Sequence, residues 1–171
     1  GGLTVKEAMN DYDRAREACH KFVDYFQPDA DFGPIFAYPA KAMDLLGWKA
    51  FKWPGNGLND DVMYQYVEGE YMKADEYDEF IFDPSDFMQR KWAPRQFSSM
   101  EGFSQIVPWR RFMWSGWMNL GFWASPEFQE TLKRLAAGVE ELNKWWGSQA
   151  QYWGELNAKG YPLAFAGWDW P

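Results

Sequence analysis

The run from Ser125 to Gly160 constrains this chain more than any other, because it reads as a single helix of about nine turns. Ser125-Pro126-Glu127 is a strong start: a side-chain cap, a proline at the first helical position, and an acid where the helix dipole favours one. Phe128, Leu132, Leu135, Val139, Leu142, Trp146, Trp153 and Leu156 form an apolar stripe, while Lys133, Arg134, Glu140, Glu141 and Lys144 take the other faces. Lys159-Gly160 ends the run. A helix this long needs a broad apolar surface to cover, and a sheet or barrel wall supplies one.

Composition narrows what that surface belongs to. The 171 residues suffice for one domain with a real core. Aromatics make up 20%, with 12 tryptophans, which points to a large aromatic core or an aromatic-lined pocket. A net charge of −8 without any Lys/Arg run argues against a phosphate-backbone partner. The single cysteine, Cys19, excludes an internal disulfide and a thiolate metal cluster. No apolar run approaches the roughly 18 residues of a membrane span, and no secretory leader is expected, although the chain opens Gly1-Gly2 without a methionine. The expectation is a soluble, acidic, cytoplasmic domain with neither nucleic acid nor membrane as partner.

Ahead of the long helix, the chain alternates helix with extended runs. Thr4 and Glu7 form a capping-box pattern, and Val5, Ala8, Met9, Tyr12, Ala15, Cys19, Phe22, Val23 and Phe26 keep helical spacing, so a helix is expected over Val5–Phe26, stopped by Gln27-Pro28. Cys19 and His20 are neighbours on it, so their side chains diverge by about 100°. Cys19 is expected in the core and His20 at the surface. Asp29–Phe36 reads as a buried strand, Ala40–Leu46 as a helix closed by Gly47, and Trp48–Trp53 as another strand. Asn59-Asp60-Asp61 sits in a Gly-rich loop and reads as a solvated turn, so no metal site is expected.

The stretch Tyr66–Phe87 reads as a strand over Tyr66–Met72 running into two acidic helix starts, capped by Asp75 and by Asp83 with Pro84 in the first turn. Phe87–Trp92 continues as helix until Ala93-Pro94. Phe97–Ser125 is irregular and rich in Gly, Trp and Phe. Such a segment is either a functional lid or a loop whose tryptophans pack on the core, and both readings stand. Leu163–Ala166 reads as a final strand. Helix between strands throughout implies parallel pairing of the segments near Asp31–Phe36, Phe51–Trp53 or Gln65–Tyr71, and Leu163–Ala166.

Three of these motifs carry a resemblance to the uroporphyrinogen decarboxylase-like proteins: IFAYPAKAMDLLG with Ile35, Phe36, Ala37, Tyr38 and Gly47; DEYD followed by DPSDF; and PLAFAG, with Pro162, Leu163, Phe165, Ala166 and Gly167 after the long helix. The resemblance covers Val23–Pro171 and rests on order and spacing more than on any one motif. It implies an α/β fold, part of a (β/α)8 TIM-type barrel carrying about its first three β/α units, as a single partial domain over residues 1–171 and an internal piece of a longer protein.

The same resemblance implies a carboxy-lyase or a corrinoid-dependent methyltransferase acting on a tetrapyrrole, a corrinoid-linked methyl group or a small methylated compound. The family's decarboxylases carry a catalytic Asp where this chain has Tyr38, and neither an RQAGR-type motif nor a late His-and-Cys zinc set is present. In a barrel the side chains just past the strand ends form the site. That places Tyr38 and Asp169 as catalytic residues, with Phe36, Gly167, Trp168 and Trp170 binding the substrate. Glu68 and Glu70 are further acid–base candidates. No resident cofactor is expected. The partners expected are a small-molecule substrate, a tetrapyrrole or a corrinoid protein, and a homodimer is left open. The alternative is a non-catalytic, aromatic-rich binding or structural domain.

Overall fold

The computed structural model describes residues 2–162, without the side chains of Ser115 and Asn119. In chain order it has helices α1 (Val5–Asn10), α2 (Tyr12–Phe26) and α3 (Ala40–Leu46), then short strands β1 (Phe51–Pro54), β2 (Gly57–Leu58) and β3 (Gln65–Tyr66). Helices α4 (Tyr77–Phe82), α5 (Pro84–Phe87), α6 (Ala93–Gln96) and α7 (Phe112–Ser115) follow, and α8 (Pro126–Ala158) is last. Turns of 3-10 helix fill much of the remainder, and residues Met88–Trp92 form one π-helical turn.

This is not part of a (β/α)8 barrel. The strands among the described residues are short: β1 pairs parallel with β2 in the register Trp53↔Gly57 and antiparallel with β3 in the register Phe51↔Tyr66. Asp29–Phe36 is not a strand. Gly33 has φ of 70°, which no strand uses, and Pro34–Phe36 is a 3-10 turn. The Asp31 carboxylate causes the bend by accepting from Gly33 N at 2.8 Å, an option a side chain two residues back gives the backbone in place of a ladder. The extended run predicted over Tyr66–Met72 reduces to β3, and that over Trp48–Trp53 begins only at Phe51. The strand expected over Leu163–Ala166 lies outside the described residues.

The residues fall into two compact units, residues 1–41, 53–64 and 140–171 in the first, and residues 42–52 and 65–139 in the second. Elements α3, β1 and α8 each contribute to both.

In the first unit, α1 begins as its sequence requires: Thr4 Oγ1 accepts from Glu7 N at 3.2 Å and Thr4 N donates to Glu7 Oε2 at 2.9 Å. The single helix expected over Val5–Phe26 is broken at Asp11, whose carboxylate accepts from Arg14 N at 3.0 Å and so caps α2. The break has a physical cause. An Asp offers the backbone a competing acceptor, and Asn10-Asp11 puts two such residues together. Helix α2 packs on the C-terminal half of α8 through Val23, Tyr152 and Leu156, at most 2% exposed, with Cys19 against them. Gly33 lies so close to this core that a Cβ there would sit 2.5 Å from the Tyr152 ring.

In the second unit, Gly47 closes α3 as expected. Gly47 N donates to Asp44 O and Trp48 N to Met43 O, both at 3.1 Å, the paired bonds of a Schellman end with the glycine at φ of 62°. Helix α5 starts on Asp83, whose carboxylate accepts from Asp86 N at 3.0 Å, with Pro84 in the first turn. Asp75 caps nothing; its neighbour Glu76 instead binds Lys73 N and Arg95. The core here is built on Phe87, Ile106 and Phe128.

Candidate functional site

Of the residues expected at a barrel mouth, Phe36 and Tyr38 are among those described. Gly167, Trp168, Asp169 and Trp170 lie outside the described residues. Tyr38 is half-buried in the first unit, with ring centroids 5.3 Å from Tyr64 and 6.3 Å from Trp145, whose indole N–H donates to Ala37 O at 3.1 Å. Burial first, and Tyr64 second, push the Tyr38 phenol above its usual range, so it is a poor source of phenolate. Phe36 ends its 3-10 turn 53% exposed. Glu68 and Glu70 follow β3 and are exposed to water, not at the end of a long strand.

Other titratable groups in the first unit are tied into the α2–α8 contact. His20 is not a plain surface residue: Nε2 lies 2.6 Å from Glu155 Oε2 and the ring sits 4.7 Å from that of Tyr152. Tyr152 donates to Asp31 Oδ2 at 2.6 Å, and burial followed by that carboxylate pushes its phenol far up. Burial raises the Cys19 thiol to about 11, which leaves it inert near neutral pH. Glu141 is buried, and although burial pushes its carboxyl up, hydrogen bonds from Lys144, Lys41 and Tyr12 outweigh this and leave it lowered. Among the described residues no cluster of three or more His, Cys, Asp or Glu could hold a metal.

Two grooves open on this unit. One of 680 Å3 is lined by Arg14, Lys21, Phe22, Tyr25 and Phe26 among others, but Arg14 is taken by Glu7 at 2.9 Å and Lys21 by Glu17 at 2.7 Å. The other, of 370 Å3, is polar, and its Arg16 and Lys144 are paired with Asp13 and Glu141. Neither groove presents a spare cation to orient a ligand.

The second unit holds a different kind of surface. Its segment from Trp109 to Trp123 is folded as a 3-10 turn over Trp109–Arg111, then α7, then 3-10 turns over Gly116–Ala124. One set of rings anchors it. Phe128, fully buried on α8, meets Phe103 at 5.5 Å, Phe122 at 5.0 Å and Trp123 at 4.9 Å, and Trp109 stands 6.2 Å from Trp123 and 5.3 Å from Phe112. Arg110 adds an ionic anchor, with Nη1 2.9 Å from Asp83 and 3.6 Å from Asp86, and its guanidinium over the Phe82 ring. Asp86 is itself held by Arg90 at 2.7 and 2.9 Å.

A second set of side chains in the segment is left exposed. Met113, Trp114, Trp117 and Met118 are 89%, 91%, 74% and 68% exposed, and Ile81 and Phe82 are 73% exposed in the same unit. Isolated exposed apolar residues are ordinary, whereas several large ones in one short segment mark a contact site. Within the segment, Phe122 and Trp123 pack against Phe128, Trp109 stands beside Trp123 while 55% exposed, and Trp114 and Trp117 are exposed. Sequence reasoning did not single out these last two. The available signal was the absence of any carboxylate from Gly102 to Pro126 in a chain with 25 acids.

No protein-family model, curated protein or solved structure matches the chain.

Proposed function

We propose that the chain is a non-catalytic, aromatic-rich binding domain whose contact surface is the Trp109–Leu120 segment of its second unit. The observation that carries this reading is the exposure of Trp114 and Met113, 91% and 89%, on a segment whose base is pinned by Phe128 and Arg110. Trp, Met, Phe and Arg are the residues enriched at binding interfaces, and Asp, Glu and Lys are depleted there. Between Trp109 and Trp123 the chain has four Trp, two Met, two Phe and two Arg, with no Asp, Glu or Lys. A base held by buried rings keeps the outer side chains ordered before contact, which lowers the entropy lost on binding.

A carboxy-lyase or corrinoid-dependent methyltransferase activity, implied by the resemblance, draws its support from the quoted motifs and from Tyr38.

The test is titration with anilinonaphthalenesulfonate, a flat apolar anion, read by its fluorescence. Wild type enhances the dye, and Trp114→Ala with Trp117→Ala reduces the enhancement several-fold at unchanged far-UV circular dichroism. Equal enhancement by both proteins removes the surface from consideration.

A further inference from the structure

Resting on the reading of this segment as a contact surface, we propose that its partner is the headgroup region of an anionic lipid bilayer, entered by Met113, Trp114, Trp117 and Met118 as a shallow apolar wedge.

Three observations favour a bilayer over the flat face of another protein. The first is how far the side chains protrude. Residues lining a groove or docking face are covered on one side by their own protein, whereas these four are 68–91% exposed and need a medium that surrounds them. Lipid does so, and tryptophan in particular settles at the boundary between headgroups and acyl chains.

The second is charge. Residues Gly102 to Pro126 contain two arginines and no carboxylate, so all 25 acids and the other 15 basic residues lie elsewhere in the sequence. With Arg110 paired to Asp83 and Asp86, an anionic surface attracts this stretch through Arg111 while repelling a chain of net charge −8 elsewhere, which favours approach by this stretch.

The third is the division of labour between the arginines. Arg110 is spent on Asp83 and Asp86, while Arg111 is exposed and makes no ion pair among the described residues. Arg111 stands two residues before Met113 in the sequence, an exposed guanidinium that can pair with a lipid phosphate. The segment is far too short to cross a bilayer, and no described helix is long and apolar enough to do so. The contact is therefore confined to one leaflet. The sequence-based expectation of no membrane partner rested on the missing span, and a shallow contact needs none.

The experiment is co-sedimentation of the whole chain with sucrose-loaded vesicles, of phosphatidylcholine alone or mixed with phosphatidylglycerol, alongside tryptophan emission. The expected result is binding to the mixed vesicles with a blue shift of emission, weakened by salt. Trp114→Ser with Trp117→Ser abolishes binding while the thermal melt stays unchanged. Arg111→Gln lowers affinity for the anionic vesicles by about fivefold, as expected for one interfacial charge, and leaves the weak binding to phosphatidylcholine as it was. Absence of vesicle binding, or binding that the double variant retains, overturns the proposal. If wild type ignores vesicles yet still enhances anilinonaphthalenesulfonate in a Trp114- and Trp117-dependent way, the bilayer falls and the contact surface stands. A concentration-dependent dimer in light scattering, lost in the double variant and unaffected by lipid, assigns the wedge to a second copy and also overturns the bilayer.

Discussion

Tyr152 in the first unit and Trp114 in the second are both large aromatic rings on helical backbone, and they meet opposite fates. Tyr152 is fully buried, its hydroxyl satisfied by Asp31 at 2.6 Å and its ring against His20 and Gly33. Trp114 is 91% exposed. The contrast shows that aromatic content alone does not measure a core. A ring is buried where the chain also supplies a partner for its polar atom and a neighbour small enough to approach, as Asp31 and Gly33 do. Where the flanking chain supplies only more rings, some stack on a buried anchor such as Phe128 and the others are left in water.

The largest test of this contrast is Phe128→Ala. Removing the ring that Phe103, Phe122 and Trp123 share is expected to cost about 3–5 kcal/mol in denaturant unfolding and to erase near-UV signal from the second unit. A cost below 1 kcal/mol would mean that the aromatic base does not hold the segment. Gly33→Ala comes next. It adds a methyl within 2.5 Å of Tyr152 at a φ of 70°, and a loss of about 2–4 kcal/mol is expected. An unchanged melting temperature would show that the loop can move off the core.

Acid sensitivity sharpens the comparison from the second unit. Glu76 is held below the usual carboxylate range, first by hydrogen bonds from Arg95 and then by Lys73 N, and Asp86 first by Arg90. A lowered folded-state value adds stability that is complete above an unfolded value of about 4 and disappears as pH falls through the lowered value. Arg95→Gln is therefore expected to move the acid-unfolding midpoint upward. A midpoint that does not move would show that the Arg95–Glu76 pair adds nothing to folding.

Asp31→Asn keeps an acceptor for Tyr152 but removes its charge, and a loss of about 1 kcal/mol is expected in equilibrium unfolding. The smallest effect belongs to the exposed rings. Trp114→Ala and Trp117→Ala should each change stability by less than about 0.5 kcal/mol, since neither touches a core. A larger loss in either would place that ring in the fold.

Legibility in the sequence followed the range of the interaction. The capping box of Thr4 and Glu7, the Asp83-Pro84 start, the Gly47 end and the start of α8 at Pro126 were all readable, because each is settled within a few residues. The apolar stripe of α8 was only half readable. Phe128 and Leu156 are buried as expected, but the face turned inward between them carries Glu141, Trp145, Ser148, Gln149 and Tyr152, while Trp146 is 42% exposed. Trp145 and Trp146 are adjacent, as are Tyr152 and Trp153, so periodicity alone could not say which of each pair faces inward. Two polar members of that face, Glu141 and Ser148, are bearable because Tyr12 donates to Glu141 at 3.0 Å and Arg16 to Ser148 at 3.1 Å, partners more than a hundred residues away.

The expected site was less legible than the fold. Tyr38 was placed by analogy with a barrel that the described residues do not form, and the exposed segment carries no catalytic motif to flag it. The sequence by itself determined the helix starts at Thr4, Asp83 and Pro126, the helix end at Gly47, and that one carboxylate-free stretch would stand apart in an acidic chain, because capping and charge are properties of neighbours along the backbone. Only the tertiary structure decided that Asp29–Phe36 bends instead of extending, that Tyr152 goes in, and that Trp114 and Trp117 stay out. Those outcomes depend on which distant groups arrive to cover the side chain: Asp31 for one ring and, among the described residues, none for the others.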